Sequence, residues 1–163
     1  MKIKSQFANT DGTTTHVIYE DTNSFEHLSS KKVTQVYGVC FFDDTMLIVH
    51  NKDSWGLVGG SIKVGETYEE CLKRETKEES NMKITCSAPI GYQEVQSINK
   101  IIYQLRYVCI VEPYNDFVSD PDGDVTEIKL INPKDYKKYF DWGVIGDRIV
   151  SRALELRKEL LLK

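Results

Sequence analysis

The residues best suited to chemistry lie in Thr67–Met82, TYEECLKRETKEESNM, where Glu75, Glu78 and Glu79 follow Arg74. Thr67 with Glu70 three residues on is a capping box and predicts a helix start there. Asn81 is a suitable terminator because it tolerates the left-handed conformation common just past a helix end. At about 100° per residue, Tyr68, Cys71, Leu72 and Met82 form one apolar arc around Glu75. Glu78 and Glu79 fall in the same arc, while Lys73, Lys77 and Ser80 take the opposite face. Three carboxylates on an inward face repel one another and lose hydration. They also stand in the C-terminal half of the helix, where its dipole disfavours negative charge. Arg74 offsets part of this, and hard divalent cations, which favour oxygen ligands, are the natural remaining compensation.

The plain alternative is a solvated helix with surface pairs such as Arg74 to Glu78. The shared apolar face argues against it, and so does the preceding segment. Gly59-Gly60 and Gly65-Glu66 make a glycine-rich loop, Gly56–Gly65, that lets backbone approach a ligand closely. A carbonyl from that loop could complete a cation's coordination.

Together these residues resemble the Nudix box, G-x5-E-x7-R-E-U-x-E-E-x-G-U, with U a bulky apolar residue. Here it reads Gly60, Glu66, Arg74, Glu75, Thr76, Glu78, Glu79, Asn81 and Met82. Thr76 replaces an aliphatic residue and Asn81 a glycine, and neither change removes a ligand. Trp55-Gly56-Leu57-Val58-Gly59-Gly60 is similar to the family's W-x-L-P-G-G lead-in, with Val58 in place of proline. The resemblance implies an α/β fold, a Nudix-type α/β/α sandwich with a mixed β-sheet between helices. It also implies Mg2+-dependent hydrolysis of a nucleoside diphosphate linked to another group, with Mn2+ able to substitute. By position Glu75, Glu78 and Glu79 would be metal ligands, with the Gly60 carbonyl as a further one, and Glu66 and Arg74 would brace loop against helix. A carboxylate, Glu79, Glu75 or Glu127, would accept the proton of the attacking water. Glu127 is the first candidate for an acidic residue from outside the box, with Asp124 and Glu94 behind it.

The elements that must carry this segment interleave along the chain. Ile3–Phe7 and Thr14–Tyr19 are expected strands across an Asn9–Gly12 turn, and Asp21–Lys32 a polar loop. Val33–Phe42 and Met46–His50 flank Asp43-Asp44 as a hairpin. Strand composition returns at Lys83–Cys86, Gln93–Val95, Ile101–Val111 and Glu127–Ile131. Asp120–Asp124 reads as a surface turn whose glycine sits too early for a calcium loop. Pro133–Tyr139 is an expected short helix. Asp147–Leu161 is a longer one, with Ile149, Val150, Ala153, Leu154, Leu160 and Leu161 as its apolar stripe. The expected organisation is a single domain over 1–163, with residues 1–32 adding strands, covering a pocket or supporting a homodimer.

Composition narrows the function classes. With 163 residues, 40% hydrophobic and 28% charged, the chain can bury a core and is not wholly disordered. No apolar run reaches membrane-spanning length, and Met1–Gln6 lacks the apolar stretch of a signal peptide, so a cytoplasmic location is expected. Cys40, Cys71, Cys86 and Cys109 form no Cys-x-x-Cys pair, and His16, His27 and His50 make no zinc spacing. A net charge of −4 argues against general nucleic-acid binding. An acidic chain can still hold a small nucleotide when divalent cations stand between them.

The leading reading is therefore a pyrophosphohydrolase acting on a nucleoside triphosphate or related nucleotide. Its alternatives are a nucleotide-sugar, dinucleoside polyphosphate or RNA-cap hydrolase, and a non-catalytic Nudix-fold nucleotide sensor. Gln96–Lys100 has neither the proline nor the tyrosine that marks some subfamilies, which disfavours the ADP-ribose and diadenosine classes. Tyr37, Phe41, Phe42, Tyr92 and Tyr103 could stack on a base, but aromatics in strands usually serve the core.

Overall fold

Alternation along the strands sorts their side chains onto two faces, each closed by a helix. In β3 (Val33–Phe42), Val36 and Cys40 enter one apolar cluster while Val39 and Phe41 enter the other. In β4 (Thr45–Asn51), Leu47 and Val49 alternate in the same way with Met46 and Ile48. Helix α1 (Tyr68–Ser80) covers the first face through Cys71 and Leu72. Helix α2 (Gly143–Leu161) covers the second through Ile149, Val150 and Ala153. The result is an α/β/α sandwich, and the structure, a computed structural model, describes residues 1–163.

The remaining strands are β1 (Lys2–Ala8), β2 (Thr14–Asp21), β5 (Ser54–Gly56), β6 (Val58–Ser61), β7 (Met82–Ser97), β8 (Lys100–Pro113) and β9 (Val125–Ile131). The sheet runs β1-β2-β7-β8-β3-β4-β5, with β6 paired to β3 and β9 to β4. It is mixed: β3 and β8 are parallel and the other pairs antiparallel. The hairpin β3–β4 is held only by Phe41 opposite Met46 and Phe42 opposite Thr45. Beyond that point β3 takes β6 and β8 as neighbours, and β4 takes β5 and β9. This fork opens the cleft described below.

Several elements differ from the sequence reading. The glycine-rich loop contains a strand, β6, because Gly59 and Gly60 pair with Tyr37 and Val36, and β5 pairs with β4 just before it. Lys83–Cys86 and Gln93–Val95 are parts of one strand, β7, whose register shifts at Ile84/Cys86 and Pro89/Gly91. Pro89 has no N–H to donate and Gly91 lies against the Tyr19 hydroxyl, so the composition breaks where the strand does not. Helix α2 starts at Gly143, before Asp147, and Leu161 is exposed rather than part of the buried stripe. In the Asp21–Lys32 segment Phe25 and Leu28 are buried around a short 3-10 turn, Glu26–Leu28. The N-terminal hairpin joins the sheet through β2–β7, and Arg148 of α2 clamps Asp21 at 2.7 Å.

Candidate active site

Helix α1 begins as its capping box dictates: the Thr67 hydroxyl accepts from the Glu70 N–H at 3.1 Å, and the Glu70 carboxylate accepts from the Thr67 N–H at 2.9 Å. It ends at Asn81 with φ 55°, left-handed. The buried residues are Cys71, Leu72, Thr76, Glu79 and Ser80. Ser80, expected on the outer face, is therefore inside, and the buried arc is turned away from Glu75 toward Thr76. Both hydroxyls are satisfied: Thr76 donates to the Leu72 carbonyl at 2.7 Å and Ser80 to the Thr76 carbonyl at 2.6 Å. The three carboxylates are thus graded, with Glu79 inside and Glu75 and Glu78 on the flank.

Glu79 is 5% exposed, and one oxygen accepts the Gly59 N–H at 2.7 Å. Burial pushes its carboxyl up to about 8, with the Gly59 N–H opposing and Glu75, Asp120 and Asp124 adding to the rise. Glu75 is also raised by burial, while Arg74 opposes and Glu78 adds. A Cβ on Gly60 would stand 2.6 Å from the Glu75 carboxylate, so the absent side chain leaves room for that group.

Arg74 links these groups. Its Nε and Nη2 donate to the two Glu66 oxygens at 2.6 and 3.0 Å, a bidentate pair. Nη2 also donates to the Ser61 carbonyl at 3.0 Å, and Nη1 reaches Glu75 at 2.8 Å and Glu78 at 3.3 Å. The Arg74 hydrogen bond holds the Glu66 carboxyl at about 2, helped by the Lys63 N–H. Strand β6 and the following loop are thereby tied to α1 at both ends of the carboxylate row.

The donor set fits a hard divalent cation. Glu79 is a buried carboxylate whose one partner is a backbone N–H, and Glu75 is crowded by a second acid. Burial disfavours the charged form of both, and the Arg74 guanidinium offsets part of this for Glu75. No three acidic, histidine or cysteine side chains converge as a ligand group, and Arg74 holds Glu75 and Glu78.

Of the acids outside the helix, Asp124 shares the site and Glu127 and Glu94 do not. Glu127 lies exposed on β9 opposite His50. Glu94 accepts from the Tyr103 hydroxyl at 3.0 Å, away from the cleft. Asp120, Asp122 and Asp124 instead line a cavity of about 390 Å³ with Gly60, Glu75 and Glu79. The turn read as plain surface is thus a wall of the acidic cavity. Asp120 shapes it, accepting the Asp122 and Val125 N–H groups at 2.9 and 3.0 Å.

A second cavity of about 720 Å³ shares Tyr37, Asn51, Gly59 and Glu79 with the first, so Glu79 stands at their junction. Five aromatics line it, Tyr37, Trp55, Tyr139, Phe140 and Trp142, beside charged side chains such as Lys52, Asp53 and Arg106. Of the aromatic candidates from the sequence, only Tyr37 lines it; Phe41, Tyr92 and Tyr103 are buried in the core, and Phe42 packs beside it. Sequence reading missed Arg106, Tyr139, Phe140 and Trp142. The available signal was three aromatics within Tyr139–Trp142, outside any strand or helical stripe.

A carboxylate-bearing helix braced to a glycine strand, at the fork of a mixed sheet in an α/β/α sandwich, defines the class. The NUDIX domain model matches residues 32–152. The chain belongs to the NUDIX family, and its fold is that of a Nudix hydrolase. Among solved structures it is similar to a mutant form of the Bacillus subtilis pyrophosphohydrolase BsRppH, at TM-score 0.66 and 18% identity over 95% of this chain and 96% of that one. It is also similar to a NUDIX hydrolase from Nitrosomonas europaea, at 0.60 and 13% over 75% and 88%. The MutT protein from Bacillus halodurans gives 0.53 and 15% over 70% and 76%. No curated protein matches the sequence. No helix is long and apolar enough to cross a membrane.

Proposed function

We propose that this chain is a Mg2+-dependent pyrophosphohydrolase that cleaves a phosphoanhydride bond in a nucleoside triphosphate or related nucleotide. The observation that carries this reading is Glu79, buried at the junction of an acidic cavity and an aromatic one. A phosphate chain suits the first cavity once cations are present, and a base suits the second. The neighbour called a pyrophosphohydrolase supports the reaction class.

Glu75, Glu78, Glu79 and the Gly60 carbonyl would hold the cation, and Asp122 and Asp124 replace Glu127 as acids from outside the box. When bound, the cation supplies positive charge to the diphosphate oxygens and lowers the pKa of water. The protein's part is to fix and deprotonate. Gly59 N–H holds one Glu79 oxygen, which leaves the other for the cation or for the proton of the attacking water. Beside a bound cation its charged form would be favoured, and that form can accept the proton. Water's oxygen then bonds to phosphorus as the bridging P–O bond breaks, and the leaving phosphate or pyrophosphate takes the displaced electrons. Arg74 keeps the row in place through Glu66 and Ser61.

The test is phosphate and pyrophosphate release from a nucleotide panel, with and without Mg2+, before and after Glu79→Gln. Release that requires Mg2+ and falls by about 100-fold or more in the variant supports the reading. Absence of release with retained nucleotide binding would make the chain a sensor. Release of sugar phosphates or mononucleotide pairs in preference would shift the substrate class.

A further inference from the structure

We infer that β1 is a docking edge for a second copy of this chain, pairing antiparallel with its counterpart around a two-fold axis at Ser5. The pairing is independent of what the site hydrolyses. β1 ends the sheet path, and every residue of it except Ile3 is exposed. Its backbone alternation is fixed by β2. The Asp21 N–H donates to the Met1 carbonyl at 3.0 Å, and at the far end the Asn9 N–H donates to the Thr13 carbonyl at 2.8 Å. Between them the register from Lys2–Glu20 to Ala8–Thr14 runs without a shift, so Ile3, Ser5 and Phe7 bond to β2. The N–H and C=O groups of Lys2, Lys4, Gln6 and Ala8 therefore face outward.

Edge strands are ordinarily protected by shortness, proline, a bulge or charge. β1 has seven residues, no proline and no bulge, whereas β5, at the other end of the path, has three residues. Only Lys2 and Lys4 could guard it, and the register decides whether they do. Between two identical antiparallel strands, the outward groups meet only when even-numbered residues stand opposite even-numbered ones. The registers that keep most of the strand paired centre on Lys4, Ser5 or Gln6. Centring on Lys4 sets it against Lys4 of the other copy, like charges face to face. Centring on Gln6 leaves Lys2 and Ile3 without partners. Centring on Ser5 pairs all seven residues: Lys2 faces Ala8 and Lys4 faces Gln6, so no lysine meets another.

The same register sorts the apolar groups. Ser5 and Phe7 face the α2 side, where they line a cavity of about 310 Å³ with Val17, Trp142 and Ile145. Phe7 is 54% exposed and Trp142 42%, a bare apolar patch beside the seam. Centring on Ser5 puts Phe7 opposite Ile3 of the other copy at a non-hydrogen-bonded site, where side chains approach closest. Ile3 already packs against the α2 cluster, so Phe7 extends each copy's core across the seam.

A seven-residue seam is small, so the dimer is expected to form with a Kd of about 1–100 µM, read by sedimentation equilibrium of the whole chain. Ser5→Cys should give a covalent dimer with oxidised glutathione, since its two Cα atoms would stand about 4.5 Å apart across the axis. Lys4→Cys, whose copies stand two residues out of register, should not, and neither should wild type. Gln6→Lys sets a second ammonium opposite Lys4 of the other copy and is expected to weaken the dimer about tenfold. Adding Lys4→Glu makes each such pair opposite in charge and should return the Kd to within about threefold of wild type. Both side chains are exposed, so thermal melts should match wild type. The inference is overturned if wild type stays monomeric at about 500 µM, or if Lys4→Cys cross-links as readily as Ser5→Cys. A double variant that dimerises no better than Gln6→Lys alone would also overturn it.

Discussion

Removing the charge of Glu79 should stabilise the metal-free protein. In the unfolded chain this carboxyl has its ordinary value of 4.5, and in the fold it is held at about 8, chiefly by burial. The folded state therefore binds the proton more tightly. Stability from this group falls as pH rises from about 4.5 and levels off above about 8. At pH 7 the cost is about 3 kcal/mol relative to a side chain that never ionises. Glu79→Gln keeps a carbonyl oxygen for the Gly59 N–H and discards the ionisation. For a chain of this size about 3 kcal/mol corresponds to a rise in Tm of roughly 6–12 °C. The assay is thermal unfolding in EDTA at pH 5, 7 and 9. The gap between variant and wild type should be small at pH 5 and widen toward pH 9. Adding Mg2+ at ten times its Kd should then raise wild type by about 1.4 kcal/mol and leave the variant nearly unmoved. A variant no more stable than wild type at pH 7 and 9, or a gap that narrows with pH, would refute the reasoning.

Three further outcomes follow from the same geometry. Glu66, held at about 2 by Arg74, contributes stability that is present above about 4.5 and lost as pH falls toward 2; Glu66→Gln should remove that acid limb in a circular-dichroism pH titration. Gly60→Ala should lower turnover by about tenfold or more with a modest change in Tm, since its Cβ would press first on the Glu75 carboxylate, the end of a side chain that can shift, whereas Gly59→Ala should destabilise the fold, because its Cβ would come 2.2 Å from the Val36 carbonyl at φ +149°. In steady-state assays Glu127→Gln should stay within about threefold of wild type, while the Asp122→Asn, Asp124→Asn double variant should lose about tenfold or more.

How much was legible in the sequence varied with the range of the interaction. The α1 boundaries were readable because capping is local: Thr67, Glu70 and Asn81 each act within one turn. The β3–β4 hairpin was readable from two apolar runs, Val33–Phe42 and Met46–His50, around Asp43-Asp44. What the sequence hid depends on pairing between distant segments. Gly59 and Gly60 looked like loop because no side chain marks a strand, yet their backbone pairs with β3. Ser80 looked outward on an ideal wheel, but the arc that β6 and β7 cover is turned from the one the apolar residues define. Asp120–Asp124 looked like any acidic turn, and only the approach of β9 to β4 brings it over Glu75. Arg106 in a β-rich run carried no sign that it would be buried without a counter-charge, since that depends on what Gln93, Gln104 and Tyr37 do across three strands.

The most direct test of the central claim is identification of the products formed from a nucleoside triphosphate in H2 18O with Mg2+, using anion exchange and mass spectrometry. Nucleoside monophosphate and pyrophosphate are expected, one of them carrying the 18O label, with formation abolished by EDTA and restored by Mg2+. Product formation unaffected by EDTA, or none from any nucleotide in the presence of Mg2+, would contradict it.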